Sequence, residues 1–125
     1  MRTLVAHEPP LVNLLPDRDA VGSASRAVHA TYMRSGFGAG LAHFIAMTSH
    51  KGPFPDDWSQ QPAPDPAMFG LPTEDDGSRD DPLLGQDPDS EPEYLPDFGA
   101  LRAASTRVII AAGKPGPLMR LQEAA

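Results

Sequence analysis

Apolar residues along this chain follow one periodicity near the start, lose it in the middle and regain it near the end. Residues 2–6 (RTLVA) form a short apolar run that predicts a strand, ended by the Pro9–Pro10 pair because proline supplies no ladder donor. Beyond Pro16, Val21, Ala24, Val28 and Tyr32 recur every three or four positions. That spacing is one face of an amphipathic helix, with Asp17 or Asp19 as its N-cap and an end near Ser35. Gly36 is a natural residue to close it. A second helix, roughly 39–48, carries Leu41, Phe44, Ile45 and Thr48 on one face.

Periodicity then stops. Residues 53–92 hold nine prolines and eleven carboxylates against one base, Arg79. Proline removes backbone donors and disfavours helix at the residue before it, and adjacent carboxylates such as Glu74, Asp75 and Asp76 repel one another. A long irregular, extended segment is expected, pinned to a larger body at two or three of its apolar residues: Phe54, Trp58, Met68, Phe69, Leu71, Leu83 and Leu84. Order resumes at Pro96–Asp97, where Asp97 can cap a short helix with Phe98, Leu101 and Ala104 on its face. The run TRVIIAA (106–112) then reads as a buried strand, being continuously apolar and β-branched. The fold class is therefore α/β, with two short strands (2–6 and 106–112), parallel, three or so helices, and the long irregular segment between them. Two strands alone make no stable parallel sheet, so the pattern reads as a piece of a larger α/β architecture.

Composition sharpens this picture. The 125 residues have a formal net charge of −7 and no cysteine. Residues 53–92 account for −10, which leaves the rest at +3. This balance opposes binding to nucleic acid or anionic membranes, both of which need clustered Lys and Arg. Without cysteine there is no disulfide framework and no thiolate chemistry. No apolar run approaches the ~20 residues of a membrane span, and the start is too short in apolar residues for a secretory leader. A cytoplasmic protein is expected.

Candidate chemistry is sparse. His7 and Glu8 follow the carboxyl end of the first strand, where open α/β sheets bind ligands; they are the candidate ligand-facing loop. The four histidines (7, 29, 43, 50) include no i, i+4 pair for a helical zinc site. GFGAG (36–40) follows a helix and lacks a Lys-Ser/Thr, so it reads as a helix–helix turn and not a phosphate cradle. Ser23 and Ser25 do not form a G-x-S-x-G elbow. The pairs Asp56–Asp57, Asp75–Asp76 and Asp80–Asp81 lack calcium-loop spacing and read as a solvated acidic face. Trp58 reads as an anchor for the loop. No catalytic, metal or cofactor residue is assigned, and no cofactor is expected.

The strings VAHEPPLVNLLPD (5–17), PDPAMFGLPTEDDGSRDDPLLGQ (64–86) and PDFGALRAASTRVIIAAG (96–113) resemble the internal part of actinobacterial α/β-hydrolase fold proteins. The resemblance covers about residues 2–113, with 114–125 an unrelated tail. It implies that the first string holds the strand after the nucleophile helix, that about 17–95 is the cap over an active site, and that TRVIIAAG is the next core strand. A cap inserted in a crossover between parallel strands would account for the long connection. The family's serine and histidine motifs fall outside this stretch, and no carboxylate stands after the strand at 106–112 until Glu123. A Ser-His-acid mechanism needs all three groups. The expectation is thus an α/β-hydrolase member or fragment, esterase- or lipase-like by resemblance and inactive alone. It would take a small ester-like substrate only if completed, and could self-associate through uncovered strands. The alternative is a small acidic interaction module that uses 53–92 against a basic partner.

Overall fold

The structure, a computed structural model, describes residues 2–7, 9–90 and 94–111. It is a small α/β chain with two strands, β1 (Thr3–His7) and β2 (Arg107–Ala111), and two helices, α1 (Arg18–Ser49) and α2 (Phe98–Ala103). Single turns of 3₁₀ helix lie at Val12–Leu14, Trp58–Gln60 and Pro66–Phe69. Three helices were expected; among the described residues the pair predicted at 17–35 and 39–48 forms the single element α1, interrupted at Gly36. The chain divides into two compact units, one ending at Arg18 and resuming beyond Pro92, the other spanning Asp19–Pro92.

In the first unit β1 and β2 pair in parallel, with Thr3 opposite Arg107 and His7 opposite Ala111. One further bond, from the Arg107 amide to the Arg2 carbonyl at 2.9 Å, extends the ladder. Paired residues of a parallel sheet share a face, so Leu4, Val108 and Ile110 lie on one side and Val5 and Ile109 on the other. The first face, with Ala6, is apolar throughout, whereas the second also carries Thr3, Arg107 and His7. The prediction that 106–112 is buried is corrected here: Val108 is 38% and Ile110 44% exposed, and Leu4 and Val5 exceed half. Within the described residues the sheet has two strands, and neither face is fully buried. Ala112 lies outside the described residues. Helix α2 begins as expected, with the Asp97 carboxylate accepting from the Ala100 amide at 2.8 Å. Its Phe98 and Leu101 are also exposed.

The second unit has a proper interior. Val21, Ala24, Val28 and Tyr32 are all buried, so the 3-4 spacing located that face correctly. Helix α1 breaks at Gly36, whose φ of 85° and ψ of −172° are not helical and suit only glycine. In an unbroken helix residues 31 and 43 would lie about 18 Å apart. Instead Thr31 Oγ1 is 2.9 Å from His43 Nδ1, so the chain folds back on itself at the break. On the second arm Ala42 and His43 are buried, one step round from the stripe that apolar counting selects. Leu41 and Phe44 still pack partly against the core of Val28, Tyr32 and Leu84.

The glycines of GFGAG have separate causes. A side chain on Gly38 would collide with the Pro72 carbonyl, and one on Gly40 would stand 2.7 Å from Tyr32 Cβ. The run is a close-approach seam, where segment 72–75 and the first arm both meet the second arm at backbone distance. By contrast Gly22 has only the Arg26 guanidinium near it, at 3.6 Å or beyond.

Gly38→Ala and Gly40→Ala should each destabilise the second unit by roughly 1–3 kcal/mol through overpacking. Gly22→Ala should stabilise it by about 0.5–1 kcal/mol through helix propensity. Urea unfolding followed by the fluorescence of Trp58, the chain's one tryptophan, separates these signs.

Candidate functional site

The acidic segment is held against α1 by polar contacts that start from single aspartates. The Asp75 carboxylate accepts from the Gly77 amide at 2.9 Å and takes both ends of the Arg79 guanidinium, at 2.8 and 2.6 Å. Arg79 in turn donates from Nε to the Met33 carbonyl at 3.0 Å, and its guanidinium lies 5.6 Å from the centre of the Tyr32 ring. Asp76 accepts from the Ser78 amide and hydroxyl. Asp81 accepts from the amides of Leu83 and Leu84 at 2.9 and 2.8 Å. Its own amide donates to the Tyr32 hydroxyl at 3.1 Å. Leu84 enters the core, and His29 Nδ1 donates to its carbonyl at 3.0 Å.

Aspartate suits this work because its short carboxylate reaches amides two or three residues ahead. Arg79, with the Gly77 amide behind it, holds Asp75 down at about 2. The Ser78 hydroxyl and amide lower Asp76 as well. These carboxylates stay ionised at any physiological pH. The reading of 75–76 and 80–81 as a solvated acidic face is thus incomplete: Asp75, Asp76 and Asp81 also close turns.

Beside them lies an open cavity of about 440 Å³, lined by Phe37, Pro72 and Pro82 and by the carboxylates of Glu74, Asp76, Asp80 and Asp81. Its charge would attract cations and repel anions. No group of three side chains placed to hold a metal ion occurs among the described residues. The Asp56–Asp57 pair does not reach the cavity.

The other polar centre is Thr31 with His43. A hydroxyl on an imidazole resembles a nucleophile with its base, but both residues are 4% exposed and no substrate can reach them. His43 stacks on Trp58, ring centres 5.1 Å apart. Trp58 meets Phe54 edge-on at 5.5 Å, and Phe54 meets His50 at 4.6 Å. Trp58, buried, and Leu84 are the two pins of the acidic segment, whereas Met68 and Leu83 stand exposed. Burial, and secondarily the charge of Arg34, pushes His43 below the usual histidine value. Its role escaped sequence reading because a polar residue was not counted in a buried face. The available signal was Thr31, a second polar residue one place before a core tyrosine.

Of the expected ligand-facing loop, His7 stands exposed at the end of β1 opposite Ala111, and Glu8 lies outside the described residues. The structure brings no other titratable group to His7 by hydrogen bond or ion pair among those described. Ser25 donates to the Val21 carbonyl at 3.1 Å, a bond within its own helix.

No protein-family model, curated protein or solved structure matches this chain. The functional reading therefore rests on the chain's own residues. No helix among those described is long and apolar enough to cross a membrane.

Tyr32→Phe should cost about 1 kcal/mol, since it leaves the Asp81 amide without its acceptor; urea unfolding reads the change. Asp75→Ala should speed exchange of the Gly77 amide by about tenfold, the equivalent of one lost hydrogen bond. Because Asp75 is depressed, its contribution is complete above the ordinary carboxylate range and fades as pH falls toward about 2. Amide exchange of Gly77 across that acid range checks the sign.

Proposed function

We propose that residues 2–111 are the cap-bearing portion of an α/β-hydrolase-type esterase, a portion that does not hydrolyse substrate by itself. The observation that carries this reading is the parallel β1–β2 pair. Leu4, Val5, Val108 and Ile110 of that pair are exposed, and a whole compact unit stands in the connection between its strands. Isolated parallel pairs are not stable elements; they belong to larger sheets covered on both sides. Insertion of a self-contained unit between neighbouring strands is the arrangement that the sequence resemblance implies for a cap. Inactivity follows from the chemistry: the 125 residues contain no G-x-S-x-G serine, and the one hydroxyl–imidazole pair in the second unit is sealed. A small ester-like substrate would be taken only once the sheet and triad are supplied, in a cytoplasmic setting.

The anionic cavity favours a second reading, in which 53–92 binds a basic partner. Binding of a lysine-rich peptide that survives conversion of Asp75, Asp76, Asp80 and Asp81 to asparagine would remove it.

The purified chain should give no turnover of short-chain p-nitrophenyl esters above buffer. Turnover that co-purified with the chain and vanished in His7→Ala would overturn the proposal. Light scattering should show concentration-dependent association, since the two faces of the β1–β2 pair and α2 lack cover; a strict monomer with a sharp two-state melt would contradict it.

A further inference from the structure

The chain contains one Asp–Gly step, Asp76–Gly77, and no Asn–Gly. An aspartate before glycine is open to imide chemistry, because glycine places no side chain beside its own amide nitrogen. That nitrogen attacks the aspartyl Cγ, the carboxyl hydroxyl leaves with the amide proton as water, and a five-membered succinimide forms. Water then opens the ring. Opening at the α-carbonyl leaves the main chain running through Cβ and Cγ, an isoaspartyl linkage of unchanged overall composition. Water is the only co-reactant, and Asp76, Gly77 and Ser78 are all exposed to it. Apart from its chain neighbours, Gly77 is uncrowded: a Cβ there would meet nothing within 4 Å.

Two sets of contacts oppose the reaction. The Gly77 N–H, whose proton must leave, donates to Asp75 Oδ1 at 2.9 Å. The negative charge of that carboxylate disfavours removal of the proton. Asp76 Oδ1 accepts from the Ser78 amide at 2.9 Å and from its hydroxyl at 2.7 Å. Both bonds favour the ionised carboxylate, which has no hydroxyl to lose. The Ser78 contacts are local to the turn, but α1 helps to place Asp75. No side chain could stand on Gly36 without striking the Asp75 carboxylate, so the carboxylate lies against the break in α1. Arg79 grips both its oxygens, at 2.8 and 2.6 Å, while donating to the Met33 carbonyl at 3.0 Å.

We propose that the Asp76–Gly77 bond is a latent isoaspartate site, which the clamp of Asp75 and Arg79 on α1 holds inert.

The change would not be silent. An isoaspartyl residue lengthens the main chain by one carbon between Asp75 and Arg79, whose four-residue spacing the ion pair now spans.

The test uses the full chain, kept at pH 6 and 37 °C in buffer and in concentrated guanidinium chloride. Peptide mapping with fragmentation that separates the two isomers follows isoaspartate at each aspartate. In denaturant Asp76 should isomerise first, ahead of Asp89, which precedes Ser90. In buffer its rate should fall at least about tenfold, the effect of one charge-assisted hydrogen bond. Asp75→Ala should restore most of the denatured rate in buffer. Tyr32→Phe loosens the same unit without touching the clamp, and should change the rate little. Equal rates in buffer and denaturant would overturn the proposal, as would another aspartate reacting ahead of Asp76. Acceleration by Tyr32→Phe as large as that by Asp75→Ala would overturn it too, since general loosening would then suffice. Should Asp75→Ala fail to fold, Arg79→Lys decides: it keeps the charge but loses the two-pronged grip, and an unchanged rate would refute the clamp.

Discussion

Reversal of α1 at Gly36 is the constraint on which the second unit depends. A φ of 85° there turns one amphipathic stripe, which could cover only one surface, into two arms that cover each other. The glycines at 38 and 40 then set how closely the rest approaches. With no side chain at 40 the second arm reaches Tyr32, and with none at 38 the Pro72 carbonyl reaches the second arm. Tyr32 consequently lies fully buried, with its ring in the core and its hydroxyl accepting the Asp81 amide. Without the reversal there would be no enclosed site for His43 and no surface on which Leu84 could close.

The acidic segment obeys a second balance. Its formal charge of −10 should expand it, since each carboxylate repels its neighbours and hydration favours separation. What opposes expansion is local: Asp65, Asp75, Asp76, Asp81 and Asp87 each accept an amide two residues ahead or close to it. A charged acceptor makes a stronger bond than a neutral one, and each such bond fixes a turn that proline alone would leave undetermined. Arg79 then neutralises one member of the densest cluster. The segment is irregular in secondary structure yet tied down in tertiary structure, two properties that composition alone tends to merge.

This difference explains what could be read from the amino-acid order. Strand and helix positions were legible where one periodic cause dominates: Thr3–His7, Arg107–Ala111, the Val21-to-Tyr32 stripe, the Asp97 cap and the stop at Gly36. Burial was legible only where the covering partner is also encoded nearby. TRVIIA has the composition of a core strand, but among the described residues it pairs with β1 alone, so local pattern and actual exposure part company. His43 went the opposite way, since Thr31 and Trp58 lie against its ring and an apolar count joins neither to it. The Arg79–Asp75 contact was invisible for a different reason: charge runs carry no information on which carboxylate a single arginine will choose. Nothing in the sequence or the geometry assigns a role to His7, whose exposure leaves its ring without a fixed partner.

The two units also differ in how completely they satisfy themselves. In Asp19–Pro92 no buried side-chain polar atom among those described lacks a partner, and the core residues converge on Val28, Tyr32 and Leu84. In the other unit β1 and β2 pair in register, but Leu4, Val5, Val108 and Ile110 beside that ladder stay about half exposed. Hydrogen bonds contribute little net stability when water offers the same partners, whereas half-exposed Leu, Val and Ile forgo roughly 1 kcal/mol each of burial. A strand pair in that condition gains most from further sheet, which is why the hydrolase-type reading rests on β1 and β2 and not on the better-formed unit between them.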